Sequence, residues 1–268
     1  MKYAYHIHTY LCNHADGPIR PYVENAVKAG YSTIAFSDHS PQVYSDGHDS
    51  SVKMLPAQLP DYMKELTALR EEFADRITIR IGLEAEYYPR FFPALCDLCD
   101  ANAVEFLFLG QHYLKNEVDV PCAIWDMEDD PADIWQYVNQ VIEGLETGRF
   151  AMLAHPDVPS FTGDENEYRA AMTKLCLRAQ ELNVPLEYNL NGLRGHRHYP
   201  SDRFFRIAAE VGNTVALGVD AHSPDVLLDT ESIQRAQNNL KNLGIAPVDE
   251  IPLRPFYPER FRPAKSAE

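Results

Sequence analysis

The chain has 268 residues, 45% hydrophobic and 24% charged, a balance that suits a globular protein long enough to bury its core without staples. Forty acidic residues stand against 24 basic ones, the net charge is −16 and no basic stripe is present, so nucleic acid is a poor partner. No apolar run reaches the length of a membrane span, and the opening MKYAYHIHTY lacks the apolar core of a signal peptide.

Seven short β-rich segments recur along the chain, at about 3–7, 32–37, 77–84, 105–111, 150–154, 185–190 and 214–219. Amphipathic helical stretches lie between them: Pro21 to Ala29, Leu59 to Asp75, Ala132 to Thr147, Glu167 to Leu182, Asp202 to Val211 and Glu231 to Leu243. Ser201 or Asp202 can cap the helix that follows Pro200. This alternation predicts parallel strands in a closed or nearly closed α/β barrel, with an open doubly wound sheet as the competing architecture. No G-x-G-x-x-G follows the first strand, which counts against dinucleotide binding. The long stretches 40–58, 112–131 and 155–165 are the expected pocket loops. The tail from Pro252 to Glu268, with Pro255, Pro258 and Pro263, is expected to run as irregular chain over the surface.

The five cysteines, Cys12, Cys96, Cys99, Cys122 and Cys176, form no disulfide framework and predict reduced thiols in a cytoplasmic setting. Cys96 and Cys99 make a lone CxxC inside a helical stretch, which reads as buried helix cysteines rather than a zinc site.

Most of the ten histidines fall at predicted strand ends. His6 and His8 end the first strand and His14 follows. His39 ends the second after Asp38, Glu84 ends the third, and His112 and His155 end the fourth and fifth. Asp220 and His222 end the last. Residues i and i+2 of a strand share a face, so His6 with His8, and Asp220 with His222, can each chelate one ion. Parallel barrel strands all end at one rim, so these side chains converge. So many buried imidazoles and carboxylates are costly without a cation. Seven histidines and two carboxylates exceed one coordination sphere, which implies two or three ions, with Zn, Fe or Mn favoured over Mg or Ca.

The set H-x-H near the start, S-D-H, G-L-E, isolated strand-end histidines and a late D-A-H resembles the polymerase and histidinol phosphatase (PHP) superfamily. The run Leu186 to Arg194, followed by Tyr199, Pro200 and Ser201, is similar to its histidinol-phosphate phosphatase branch. The resemblance implies one distorted, TIM-like (β/α)7 barrel domain over 1–268, with a metal site at the C-terminal strand ends. It also implies a trinuclear centre. His6, His8, Glu84 and Asp220 would serve one ion. Glu84 would bridge to a second ion held with His112 and His155, and His14, His39 and His222 would hold the third. Glu86 is expected just behind these ligands.

The implied reaction is phosphomonoester hydrolysis by a metal-bridging hydroxide, with L-histidinol phosphate as substrate. Arg194 and Arg197, after the sixth strand, are the candidate phosphate grips, while His196 and His198 in the same run carry no assigned role. No basic residue follows His155 before Arg169, so either Arg169 folds back or this loop meets a different leaving group; Asp157 or Asp46 could pair with a substrate amine. Three other readings compete. One is a phosphoesterase for another metabolite, nucleotide or phosphodiester, and another is a non-catalytic metal-binding domain. The last is an amidohydrolase with a carboxylated lysine, for which Lys28, Lys53 and Lys115 are poorly placed because none sits at a strand end.

Overall fold

The computed structural model describes residues 1–45, 47–119 and 122–253. The strands β1 (Tyr3–Ile7), β2 (Thr33–His39), β3 (Thr78–Ala85), β4 (Leu107–Leu109), β7 (Phe150–Leu153), β8 (Leu186–Asn189) and β9 (Val215–Ala221) close into a barrel in that order. Every pairing is parallel, including β9 with β1. This settles the choice between barrel and open sheet in favour of the barrel. A two-stranded antiparallel hairpin, β5 (Tyr113–Leu114) with β6 (Cys122–Ala123), is inserted after β4; the sequence reading took this stretch as loop.

The crossover helices are α1 (Ile19–Ala29), α2 (Leu59–Glu72), α3 (Phe92–Ala101), α4 (Pro131–Glu146), α5 (Glu165–Glu181) and α7 (Asp202–Val211), with a five-residue α6 (Leu190–Arg194) directly after β8 and α8 (Thr230–Asn242) following β9. Several start at the side-chain acceptor that helix ends require: Asp130 for α4, Asp164 for α5, Ser201 for α7 and Asp229 for α8. Ser201, rather than Asp202, is thus the cap after Pro200. Gly30 and Gly212 stop α1 and α7 in the left-handed conformation, with φ of 82° at each.

Two apolar layers result. The larger lies between strands and helices and contains Ala4, Ile34, Ile79, Leu83, Leu109, Leu153 and Leu217 with the inward faces of the helices. The smaller fills the barrel itself with Tyr5, Ala35, Phe106, Phe108, Met152 and Ala216. Ile251 and Leu253 join this inner cluster, and Val248 bridges to Ala216, so the last described segment plugs the floor of the barrel. Residues 254–268, most of the proline-rich tail, lie outside the described residues. The Tyr5 hydroxyl accepts the Ile251 N–H at 3.0 Å. Tyr5→Phe is therefore expected to lower unfolding stability by about 1–2 kcal/mol in a urea titration, because a buried donor loses its partner; an unchanged midpoint would show that this contact contributes nothing.

Candidate metal centre

Strand alternation alone does not bring all the ligands inward. Tyr5 faces the barrel interior, so His6 by simple parity should face the helices. The register of β1 instead shifts between Tyr5 and Ile7 against β9, and between Ala4 and Ile7 against β2. His6 adopts φ 67° at this irregularity and turns into the barrel mouth. His155 (φ 27°) and Asp220 (φ 47°) also hold left-handed backbone, which L-residues with a Cβ adopt only at a cost.

The sequence-selected residues Glu84, His6, His8, His39, His112, His155, Asp220 and His222 come together, with His14 at the outer edge. Glu84 is central. Its Oε2 lies 3.0 Å from His39 Nδ1, 3.3 Å from His6 Nε2 and 3.6 Å from His8 Nε2. Its Oε1 lies 2.8 Å from His155 Nε2 and 3.7 Å from His112 Nε2. Asp220 Oδ1 is 3.2 Å from His222 Nδ1, 3.3 Å from His8 Nε2 and 3.9 Å from His6 Nε2. Two glycines make this crowding possible. A side chain at Gly110 would overlap the Glu84 carboxylate, and one at Gly218 would overlap that of Glu187.

Five overlapping triads place their ligand atoms within 4.8 Å of one another: His6–His8–Asp220, His6–Glu84–His155, His8–His39–Glu84, His14–His39–His222 and His8–Cys12–His222. His6 Nε2, Glu84 Oε2 and Asp220 Oδ1 are all buried without a hydrogen-bond partner among the described residues. Buried polar atoms rarely remain so, and unpartnered atoms that belong to these triads fit bound cations. The electrostatics agree. Burial would raise the carboxyls of Glu84 and Asp220, but the surrounding imidazoles hold both well below the usual carboxylate range. Burial opposes charge on His6 and His8, yet Glu187, Asp220 and Asp38 outweigh it and raise both, so the carboxylates here call for positive charge that a bound cation would supply in place of protons. Burial lowers His39 to about 3, leaving a neutral imidazole with a lone pair to give. Ionised carboxylates beside imidazoles make a donor set suited to two to three divalent cations. Cys96 and Cys99, on α3, belong to none of these triads.

Several residues that the sequence did not single out orient the ligands. Glu187 on β8 lies 2.7 Å from His6 Nδ1 and accepts the His155 N–H at 2.8 Å and the Asn189 amide at 2.9 Å. Asn189 and Asn191 donate to Asp220 Oδ2 at 3.0 and 3.3 Å. Asp38 sits 3.4 Å from His8 Nδ1 and accepts from the Thr9 hydroxyl and backbone. Glu187 and Asn189 are an i, i+2 pair in LEYNL and Asp38 precedes His39, so spacing was the available signal for all three. Such partners fix the tautomer and aim of a ligating imidazole. Glu86, expected behind the ligands, lies 3.3 Å from His112 Nδ1.

The cluster opens into a cavity of about 680 Å³ lined by all three long loops, with Val52 and Lys53, His112, Tyr113 and Trp125, and His155 and Val158 on its walls. The two candidate arginines part company. Arg197 lines the cavity, and its Nη1 donates to the Tyr199 hydroxyl at 2.9 Å. Arg194 ends α6 and packs back on β9, where Nη2 donates to the Val219 carbonyl at 2.7 Å; it does not line the cavity. His198 lines the cavity, while His196 does not. Arg169 pairs with Glu210 on the exposed helical surface and does not fold back. Asp157 is buried against α7, accepts the Ser201 N–H at 2.6 Å and does not line the cavity, and burial pushes its carboxyl up to about 6. Asp46 lies outside the described residues. Lys53, set aside because it ends no strand, reaches the cavity through its loop.

The family model described as the PHP domain matches residues 4–191. The chain belongs to the PHP-domain family, in its histidinol-phosphatase branch. A probable histidinol-phosphatase of Deinococcus radiodurans is 32% identical over 229 residues, which cover 82% of this chain and 85% of that one. The histidinol-phosphatase of Bacillus subtilis is 26% identical over 247 residues, covering 81% and 92%. The crystal structure of histidinol phosphate phosphatase from Lactococcus lactis, complexed with Zn, L-histidinol and phosphate, superposes with a TM-score of 0.69. It is 21% identical and covers 92% of this chain and 95% of that one, which shows that this PHP-domain chain shares its fold. No helix among the described residues is long and apolar enough to cross a membrane.

Proposed function

We propose that this chain is a cytoplasmic, metal-dependent phosphomonoesterase that hydrolyses L-histidinol phosphate to L-histidinol and phosphate. The observation that carries this is a set of overlapping cation-binding triads opening into a cavity sized for a small phosphorylated metabolite. That curated relatives of similar sequence are named histidinol-phosphatases supports this substrate over other phosphate esters. Five free cysteines suit a reducing compartment.

His6, His8, Glu84 and Asp220 would hold one ion, with Glu84 shared toward His112 and His155, and His14, His39 and His222 would hold the outermost. Bound divalent cations lower the pKa of coordinated water and take up charge on a transferring phosphoryl group. Glu187 and Asp38 keep the His6 and His8 rings aimed. Arg197, steadied by Tyr199, supplies a fixed cation at the cavity wall for a phosphate oxygen. Tyr113 and Trp125, with rings 5.7 Å apart, form an aromatic wall for the flat imidazole ring carried by the leaving alcohol.

Purified protein reconstituted with Mn²⁺, Fe²⁺ or Zn²⁺ should release phosphate from L-histidinol phosphate with a kcat/KM about 100-fold or more above that for p-nitrophenyl phosphate. Equal values for the two esters would sink the substrate assignment. Arg197→Met should lower kcat/KM about 10- to 100-fold with metal content unchanged, the loss of one charged hydrogen bond. Arg194→Met would do the same only if the anion reached α6.

A further inference from the structure

A buried charge chain runs beside the metal centre. Lys53 is only 4% exposed. Its ammonium pairs with Glu86 and lies 2.5 Å from Glu117 Oε2. The rings of Tyr88 and Tyr113 approach it, with centroids 5.5 and 5.9 Å away. Burial works against this ammonium, and the two carboxylates outweigh it. Glu86 uses its other oxygen on His112: Oε1 accepts the His112 backbone N–H at 3.2 Å and lies 3.3 Å from the ring Nδ1. The far nitrogen of the same ring, Nε2, faces Glu84 Oε1 at 3.7 Å. Three separate segments are tied through one ammonium: the β2–α2 loop that carries Lys53, the end of β3 with Glu86, and the β5–β6 hairpin with Glu117.

We propose that Lys53 is a positioning residue for the metal centre: through Glu86 it fixes the ring of His112, so that Nε2 is presented to the ion shared by Glu84, His112 and His155. The Glu86 carboxylate, 3.3 Å from His112 Nδ1, is the partner that aims this ring, and the Lys53 ammonium holds that carboxylate in place. Without the ammonium, Glu86 and Glu117 would be two like charges buried together and would move apart. His112 would then lose its orienting partner, while His6, His8 and Asp220, braced by Glu187, Asp38 and Asn189, would keep theirs. One ion should weaken and the others should not.

This inference rests on the metal-centre reading above, and the test separates the two. Parent protein, Lys53→Met, Lys53→Arg and Glu117→Gln are stripped of metal and titrated with Zn²⁺ against a competing chelator. Bound ions per chain are counted by mass spectrometry. The expected result is one ion fewer in Lys53→Met at a free Zn²⁺ concentration that fills the parent, from an affinity about 10- to 100-fold weaker at that one step. Lys53→Arg should restore the step in part, and Glu117→Gln should weaken it by less than Lys53→Met. If Lys53→Met does not fold, an unchanged step in Glu117→Gln overturns the inference and a weakened one supports it. Full parental stoichiometry and affinity in Lys53→Met overturn it even if kcat/KM falls. A parent that binds no ion overturns the metal centre itself.

Discussion

Glu84→Gln is expected to reduce kcat/KM for L-histidinol phosphate by about a thousandfold. The carboxylate faces five imidazoles, at 2.8 to 3.7 Å, three through Oε2 and two through Oε1. An amide of the same shape removes the charge that would hold the shared cation and offers only a neutral oxygen in its place. The metal contribution to transition-state charge is worth several kcal/mol, and about 4 kcal/mol corresponds to three decades in rate. Steady-state kinetics with bound-ion counts on the same sample would check this. A loss of only a few-fold with parental metal content would show that Glu84 is not the shared ligand.

Gly110→Ala should damage the enzyme about 100-fold without touching a chemical group. The added methyl would overlap Glu84 Oε1 and stand 2.5 Å from its Cδ and 2.7 Å from its Cγ. Glu84 must then leave its place, and a displacement of about 1 Å in a reacting constellation can cost two decades. Global stability should change far less than activity, because the Glu84 side chain can swing toward the open cavity. Activity within twofold of the parent would mean that Glu84 has a second productive position.

Much of this site was legible from strand arithmetic. Seven β-rich segments gave the seven barrel strands, and residues at their ends necessarily share a rim. What escaped is what one-dimensional spacing does not encode. The turn of His6 into the mouth depends on a register shift that no residue pattern announces. Lys53 ends no strand, which counts against a carboxylated-lysine bridge but says nothing of where its loop carries it, and here its anchors are two carboxylates on other segments. The hairpin that presents Trp125 is too short to show a period of two. Arg194 and Arg197 look equivalent in GLRGHRHY, but the first completes α6 and is held by the Val219 carbonyl, whereas the second lies beyond the helix and is free to reach the cavity. Asp157 resembled a surface partner for an amine because its burial under α7 comes from a helix more than forty residues away.

The closure of β1 against β9 joins the first and last strands among the described residues. His6 and Asp220 stand on the two sides of that seam, both in strained backbone, with His6 Nε2 and Asp220 Oδ1 3.9 Å apart. An ion gripped by both would work as a clasp as well as a reagent, drawing together two strands far apart in the sequence. Closing so long a loop is entropically expensive, and a ligand that binds only the closed form tilts the balance toward it. Starving the chain of its cations should then leave a looser cylinder that unzips along one edge, so that the supply of metal governs how long the protein lasts as well as how fast it works.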